Sequence, residues 1–240
     1  MTHQPSGLRA VLFDMDGTLV ETEQFWGEAM FELAAQLGGR MSDDARARTV
    51  GASMRVSMSI LHADLGLTRS EDELWADARW VEERTAELMG AGISWRPGAA
   101  DLLRDVRAAG LATALVTTTP RRLADIVLTV IRDDLGADPF DVTICGDEVP
   151  ARKPDPAPYR QAMQALAVDP AECVVIEDSQ AGITAGLAAG VAVLGVPVMQ
   201  SIDPAPGLTL REGLAGVGVP ELAALLAHPG ADLELADHPA

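Results

Sequence analysis

Five short apolar runs punctuate the chain: Leu8–Phe13, Leu111–Val116, Val142–Cys145, Val174–Ile176 and Val191–Leu194. Each is rich in Val, Ile and Leu and lacks polar alternation, the pattern of strands covered on both faces. Between them apolar residues recur at helical spacing: Leu102, Leu103, Val106 and Ala109; Leu123, Ile126, Val127 and Val130; Tyr159, Ala162, Met163 and Leu166. Alternation of strand and helix predicts a parallel sheet wrapped by helices, with ligands at the carboxyl ends of its strands.

The rhythm breaks between Glu21 and Gly92, where helical patterns occur without a strand-like run. Trp26, Met30, Leu33 and Leu37 form one stripe; Leu74, Ala78, Val81, Thr85 and Leu88 form another, behind the capping-box pair Ser70 and Glu73. Arg96-Pro97-Gly98 marks the return to the alternating pattern. The expected organisation is an α/β, Rossmann-like core made of residues 1–20 and 93–240, with helices on both faces of its sheet, and a helical insert spanning 21–92. The segment after Leu226, rich in Pro, Asp and His, is expected to be loose.

Composition narrows the function classes. The 240 residues carry 18 Lys+Arg against 36 Asp+Glu, a net charge of −18, with 48% hydrophobic residues. That is a globular composition, and its negative surface repels nucleic acids and anionic membranes. No apolar run reaches the ~20 residues of a membrane span, and Met1–Ala10 shows no secretory pattern. Cys145 and Cys173 each lie in an apolar run and read as core residues of a reducing compartment. A cytoplasmic protein, monomeric or weakly self-associating, is expected.

Candidate chemistry gathers where the apolar runs end. The first leads into Phe13-Asp14-Met15-Asp16-Gly17-Thr18, two carboxylates one residue apart beside a turn-forming glycine. Side by side, such carboxylates require positive charge between them. The second run is followed by Thr117, Thr118 and Thr119; Thr119 suits a helix cap before Pro120, leaving Thr117 to bond a phosphoryl oxygen. Beyond the third run stands Lys153, before a proline, a cation suited to neutralising phosphate. The fourth run ends in Glu177 and Asp178, whose hard oxygens, with those of Asp14 and Asp16, suit Mg²⁺. Nucleophile, acid/base, cation and metal ligands together compose the equipment of phosphoryl transfer through an aspartyl-phosphate. None of His3, His62, His228 and His238 lies at a strand end, so no histidine is given a catalytic role.

Phe13–Thr18, Leu115-Val116-Thr117, Lys153-Pro154 and Ile176-Glu177-Asp178-Ser179 resemble the four motifs of the haloacid-dehalogenase-like hydrolase superfamily. The insert resembles the helical cap of its β-phosphoglucomutase and phosphoglycolate-phosphatase branch, as do Val20–Glu23, Arg96-Pro97-Gly98 and Ala181-Gly182-Ile183. The resemblance implies that Asp14 attacks phosphorus, that Asp16 protonates the leaving oxygen and then activates water, and that Thr117, Thr118 and Lys153 hold the phosphoryl group. It also implies that Asp14, the Asp16 carbonyl and Asp178 ligate Mg²⁺, with Glu177 reaching it through water.

Within that superfamily Asp16 favours phosphoryl chemistry over C–halogen cleavage, and the absence of Lys from the insert argues against a Schiff-base phosphonate hydrolase. A phosphatase acting on small phosphorylated metabolites, of the sugar-phosphate or phosphoglycolate type, is expected. The alternatives are a β-phosphoglucomutase-like mutase and a non-catalytic member of the fold. Met54 stands where the mutase-like loop carries a basic residue, and Arg55 follows it. Substrate choice is expected near Phe25, Trp26 and a loop at Gly51–Arg55, with Arg55 touching the substrate and Trp26 chiefly packing the cap core.

Overall fold

The computed structural model describes residues 7–198 and 200–227; the tail expected to be loose lies almost wholly outside them. Its centre is a parallel sheet of β1 (Ala10–Phe13), β2 (Ala112–Val116), β3 (Val142–Ile144), β4 (Cys173–Glu177), β5 (Ala192–Gly195) and β6 (Leu208–Leu210), in the order β3-β2-β1-β4-β5-β6. β1 lies between β2 and β4, with Phe13 opposite Leu115 on one side and Ile176 on the other. The strand order therefore reverses beside β1, and a crevice opens at the carboxyl ends there.

Alternation along β1 builds two cores. Val11 and Phe13 face the apolar stripes of α5 (Ala99–Ala108), α6 (Arg121–Leu135) and α9 (Val219–Ala227). Ala10 and Leu12 face α7 (Ala157–Leu166) and α8 (Gln180–Ala188). Both sheet faces are covered, which is why the strands read as unbroken apolar runs. Cys145 and Cys173 are buried as free thiols.

The insert consists of α1 (Glu23–Gln36), α2 (Asp43–Thr49), α3 (Met54–Asp64) and α4 (Glu71–Met89). Its stripes meet as expected: Trp26, Met30 and Leu33 of α1 pack with Leu74, Ala78 and Val81 of α4, and Leu123 of α6 joins them from the sheet side. Ser70 and Glu73 form the reciprocal capping box at the start of α4. The chain leaves and re-enters at one crossing, where Glu21 N donates to Ser94 O (2.8 Å) and Arg96 N donates to Leu19 O (2.8 Å).

Three elements depart from the sequence expectation. β6 follows residues 203–207, whose Pro and Gly obscure any period, and α9 follows a second stretch, 211–218, broken by Gly213, Gly216 and Gly218. The loop expected at Gly51–Arg55 is shorter, because Ser53 is the N-cap and Met54 and Arg55 already belong to α3. Among the described residues no helix is long and apolar enough to cross a membrane.

Candidate active site

Asp14 follows β1, and Lys153 reaches it from the loop after β3. The Lys153 Nζ donates to Asp14 Oδ1 (2.7 Å), Glu177 Oε1 (2.6 Å) and Val116 O (2.7 Å), so the carboxyl ends of β1, β2 and β4 converge on one ammonium. Lys153 is the chain's single lysine, and it is only 4% exposed. Burial works against its charge, but Asp14 and Glu177 outweigh that and hold the ammonium above its ordinary range.

Glu177 is fully buried. Its Oε1 also accepts from Tyr159 OH (2.9 Å), and its Oε2 accepts from Asp178 N (3.1 Å), Ser179 N (3.2 Å) and Ser179 Oγ (3.0 Å). Both oxygens are thus committed to fixing Lys153 and the start of α8. Gly182 makes this possible: a Cβ there would overlap the Glu177 carboxylate. Tyr159 reads from the sequence as a core residue of α7, yet its hydroxyl completes this network and Lys153 Nζ lies 5.0 Å from its ring centre.

Asp14, Glu177 and Asp178 bring carboxylate oxygens within 4.8 Å of one another, all buried. Thr18 Oγ1 donates to Asp178 Oδ1 (3.2 Å). Burial pushes the Asp14 carboxyl up to about 8, Glu177 adding to the effect and Lys153 opposing it. Asp178 is likewise held well above its ordinary range by burial, then by Asp14 and Glu177. Three carboxylates facing one ammonium leave a deficit of positive charge in a dry site, and the donors are hard oxygens. The residues fit a divalent cation such as Mg²⁺.

Asp16 points elsewhere. Its Oδ1 accepts from Thr22 Oγ1 (2.6 Å) and Trp26 Nε1 (3.3 Å), and its Oδ2 accepts from Thr117 Oγ1 (3.2 Å) and Thr119 Oγ1 (2.7 Å). Thr119 does not cap α6 with its hydroxyl, as the sequence reading has it; Pro120 occupies the N-cap position. Thr117 bonds Asp16 and accepts from Thr119 N (3.0 Å). Trp26 packs in the insert core and also touches Asp16, a polar role its place in an apolar stripe conceals.

Above these groups the insert closes a cavity of about 50 Å³, lined from the core by Asp14, Asp16, Thr118, Arg152 and Lys153 and from the insert by Trp26, Arg46 and Met54. Gly51 (φ +69°) presses on α8's N-cap, where an added Cβ would lie 2.5 Å from Ser179 Cβ. Gln200 Nε2 donates to Ala47 O (3.0 Å) while its Oε1 accepts from Gln180 N (2.9 Å), a second clasp between insert and core.

Arg55 does not join this group. It lies exposed on α3, paired with Glu71, beside a depression it shares with Arg152 and Lys153. Adjacent helix residues are turned ~100° apart, so with Met54 on the cavity Arg55 faces away. The insert's cation in the cavity wall is Arg46, buried and bound to Glu23 Oε2 (2.6 Å), Glu23 O (2.7 Å) and Thr49 Oγ1 (2.9 Å). Its setting in the polar segment Asp43–Thr49 gives no sequence signal of burial. Arg152, also in the cavity wall, donates its Nε to Gly146 O (2.6 Å), and its terminal nitrogens make no hydrogen bond to any described residue.

A family model described as haloacid dehalogenase-like hydrolase matches residues 8–190. Protein CbbY of Rhodobacter capsulatus is 34% identical over 196 residues, covering 79% of this chain and 86% of that protein. A phosphorylated carbohydrates phosphatase of Thermotoga maritima is 34% identical over 184 residues, covering 77% and 82% of the two chains. The crystal structure of CbbY from Rhodobacter sphaeroides in complex with phosphate superposes with a TM-score of 0.77 at 29% identity, covering 90% of this chain and 99% of that one.

Proposed function

Since the chain belongs to the haloacid dehalogenase-like hydrolase family, we propose that it is a Mg²⁺-dependent phosphatase of small phosphorylated metabolites, working through an aspartyl-phosphate on Asp14. The observation that carries this reading is the Lys153 ammonium held between Asp14 and Glu177 at the strand ends. Lys153 occupies Oδ1 of Asp14, and the other oxygen accepts no hydrogen bond from any described residue, which leaves it to attack phosphorus. The P–O bond to the leaving group then breaks, and Asp16 delivers a proton to the departing oxygen. In the second half Asp16 takes a proton from water as the water oxygen attacks phosphorus and the Asp14 ester bond breaks.

Asp14, Asp178 and the Asp16 carbonyl would hold the cation, with Glu177 behind them; bound there, Mg²⁺ offsets the phosphoryl charge. Thr118 would donate to the phosphoryl oxygens directly, and Thr117 and Lys153 would turn a donor toward them from Asp16 and from the strand-end acceptors that hold them without substrate. Residues 21–92 act as a cap domain over the core. The cavity of about 50 Å³ is too small for a sugar phosphate, so the cap would open further to admit substrate and shut out bulk water afterwards.

A mutase is the weaker reading, because it must hold a second phosphate. Among the described cap residues lining the cavity, Arg46 is the one cation, and its guanidinium is bound to Glu23 and Thr49. Arg152, from the core, is instead placed to meet an anionic or hydroxylated far end of the substrate.

The test is phosphate release from a panel of sugar monophosphates, phosphoglycolate, nucleoside monophosphates and β-glucose 1-phosphate, with glucose 6-phosphate formation followed in parallel. Mg²⁺-dependent release that Asp14→Asn abolishes is the expected result. Undiminished release in EDTA overturns the metal assignment, and isomerisation without release makes the protein a mutase.

A further inference from the structure

A second cavity, of about 500 Å³, is lined by Thr18, two residues beyond Asp16, and by Arg96, Val196 and Arg211. It lies at the carboxyl ends of β5 and β6, the same edge of the sheet: Arg211 follows β6 and its N donates to Gly195 O (2.8 Å), and Val196 follows β5. Its charged lining residues are Arg96, Arg211 and Glu212, and backbone at 213–215 completes a wall. Glu212 is exposed, and Arg96 pairs with Glu21.

Arg211 is the anomaly. Its guanidinium makes no hydrogen bond or ion pair with any described residue, and its Nη1 is buried without a partner. In a chain with 36 acidic against 18 basic side chains, a cation could readily have been given a carboxylate. Buried donors are satisfied in folded proteins, and an orphan one points to a group that arrives from outside. The cavity offers that group space, two guanidiniums and the Thr18 region.

We propose that this cavity is a binding site for a small oxyanion, a phosphate or a carboxylate, held by Arg211 and Arg96. Guanidinium forks match both oxyanions, through charge-assisted hydrogen bonds. The site is separate from the catalytic one but touches it: Thr18 lines this cavity and donates to Asp178 in the other. Arg96 stands at the crossing where the cap leaves the core, so a bound anion competes with Glu21 for it.

Isothermal titration with inorganic phosphate distinguishes this site from the catalytic one. In EDTA the catalytic carboxylates, without a cation, repel phosphate, whereas the arginine cavity retains its charge. One phosphate is therefore expected to bind the metal-free protein, with affinity reduced at least about tenfold in Arg211→Gln, restored in part in Arg211→Lys and kept in Asp14→Asn. Competition by malonate shows that carboxylates share the site; its failure restricts the site to phosphate, and both outcomes follow from the proposal. Among the described residues Arg211 has no side-chain partner, so Arg211→Gln is expected to fold and turn over substrate normally in phosphate-free buffer. Absence of phosphate binding in EDTA, or binding that Arg211→Gln leaves unchanged, overturns the proposal.

Discussion

The indole N–H of Trp26, in the cap, donates to Asp16 Oδ1 in the core at 3.3 Å. An indole nitrogen can only donate, whereas the hydroxyls of Thr117 and Thr119 on Oδ2 can turn and accept. Under the proposed mechanism the indole thus fixes the orientation of Asp16 and leaves Oδ2, which meets only hydroxyls, as the oxygen available for proton transfer. Because Trp26 belongs to α1, this definition of the acid/base is present only when the cap is closed.

Trp26→Phe preserves the packing of the aromatic ring and removes that one donor. Turnover is expected to fall about fivefold, the scale of one hydrogen bond, with the melting temperature little changed. Thr22→Val removes the other donor to Oδ1, and the two substitutions together are expected to be non-additive, since they act on the same oxygen. Steady-state kinetics on the four members of the cycle check this; strict additivity would count against a shared role.

The metal-free protein is expected to lose stability as pH rises. Burial, then Glu177, pushes Asp14 up to about 8 against its ordinary 3.8, so the folded state binds this proton more tightly than the unfolded chain does. Its contribution is favourable at low pH and is lost as pH climbs through that window. Melting scans in EDTA should fall from about pH 6 to about pH 8, and Mg²⁺ should stabilise most at the upper end. A melting temperature in EDTA that rises over this range contradicts the assignment.

Gly51→Ala tests closure. The residue sits at φ +69°, and the added methyl would press on Ser179 in the core. That contact exists only with the cap closed, so closure should be disfavoured and kcat/KM reduced about tenfold or more. Stability measured by denaturant should change far less, because opening the cap relieves the contact with Ser179.

Because Lys153 is the single lysine and is protonated and buried, an amine-acylating reagent should leave its ε-amine untouched in native buffer. Labelling at Lys153 is expected to appear at the rate of unfolding, followed by peptide mass mapping, and to abolish turnover. Rapid labelling of the native protein would show that the ammonium is not held as described.

Much of the fold and of the site is legible in the sequence. β1, β2, β4 and β5 are almost wholly buried between helices and β3 partly so, and such strands carry few polar positions to blur their pattern. β6 escaped because a three-residue strand at the sheet edge, after a Pro- and Gly-containing stretch, has too few residues to show a period. The groups at Asp14, Asp16, Lys153, Glu177 and Asp178 stood out because charged residues at the ends of buried strands have no role in packing. Residues with two duties were harder: Trp26 and Tyr159 satisfy an apolar stripe while their polar atoms serve the site. Arg46 is concealed in a segment whose every neighbour reads as surface, and the orientation of Arg55 turned on one residue of helical phase.

The crossing at Glu21–Ser94 and Leu19–Arg96 carries a consequence for how such a protein can diversify. Both ends of the cap emerge side by side, so the core meets it as it would a tight turn, whatever its length or content. Helices can be lost, lengthened or replaced between those two peptide groups without altering the spacing of any strand. Whatever part of substrate preference the insert contributes can thereby change without altering the chemistry beneath it. The sheet holds the reaction constant while the insert is free to drift, and only contacts such as Trp26 with Asp16 bind the two histories together.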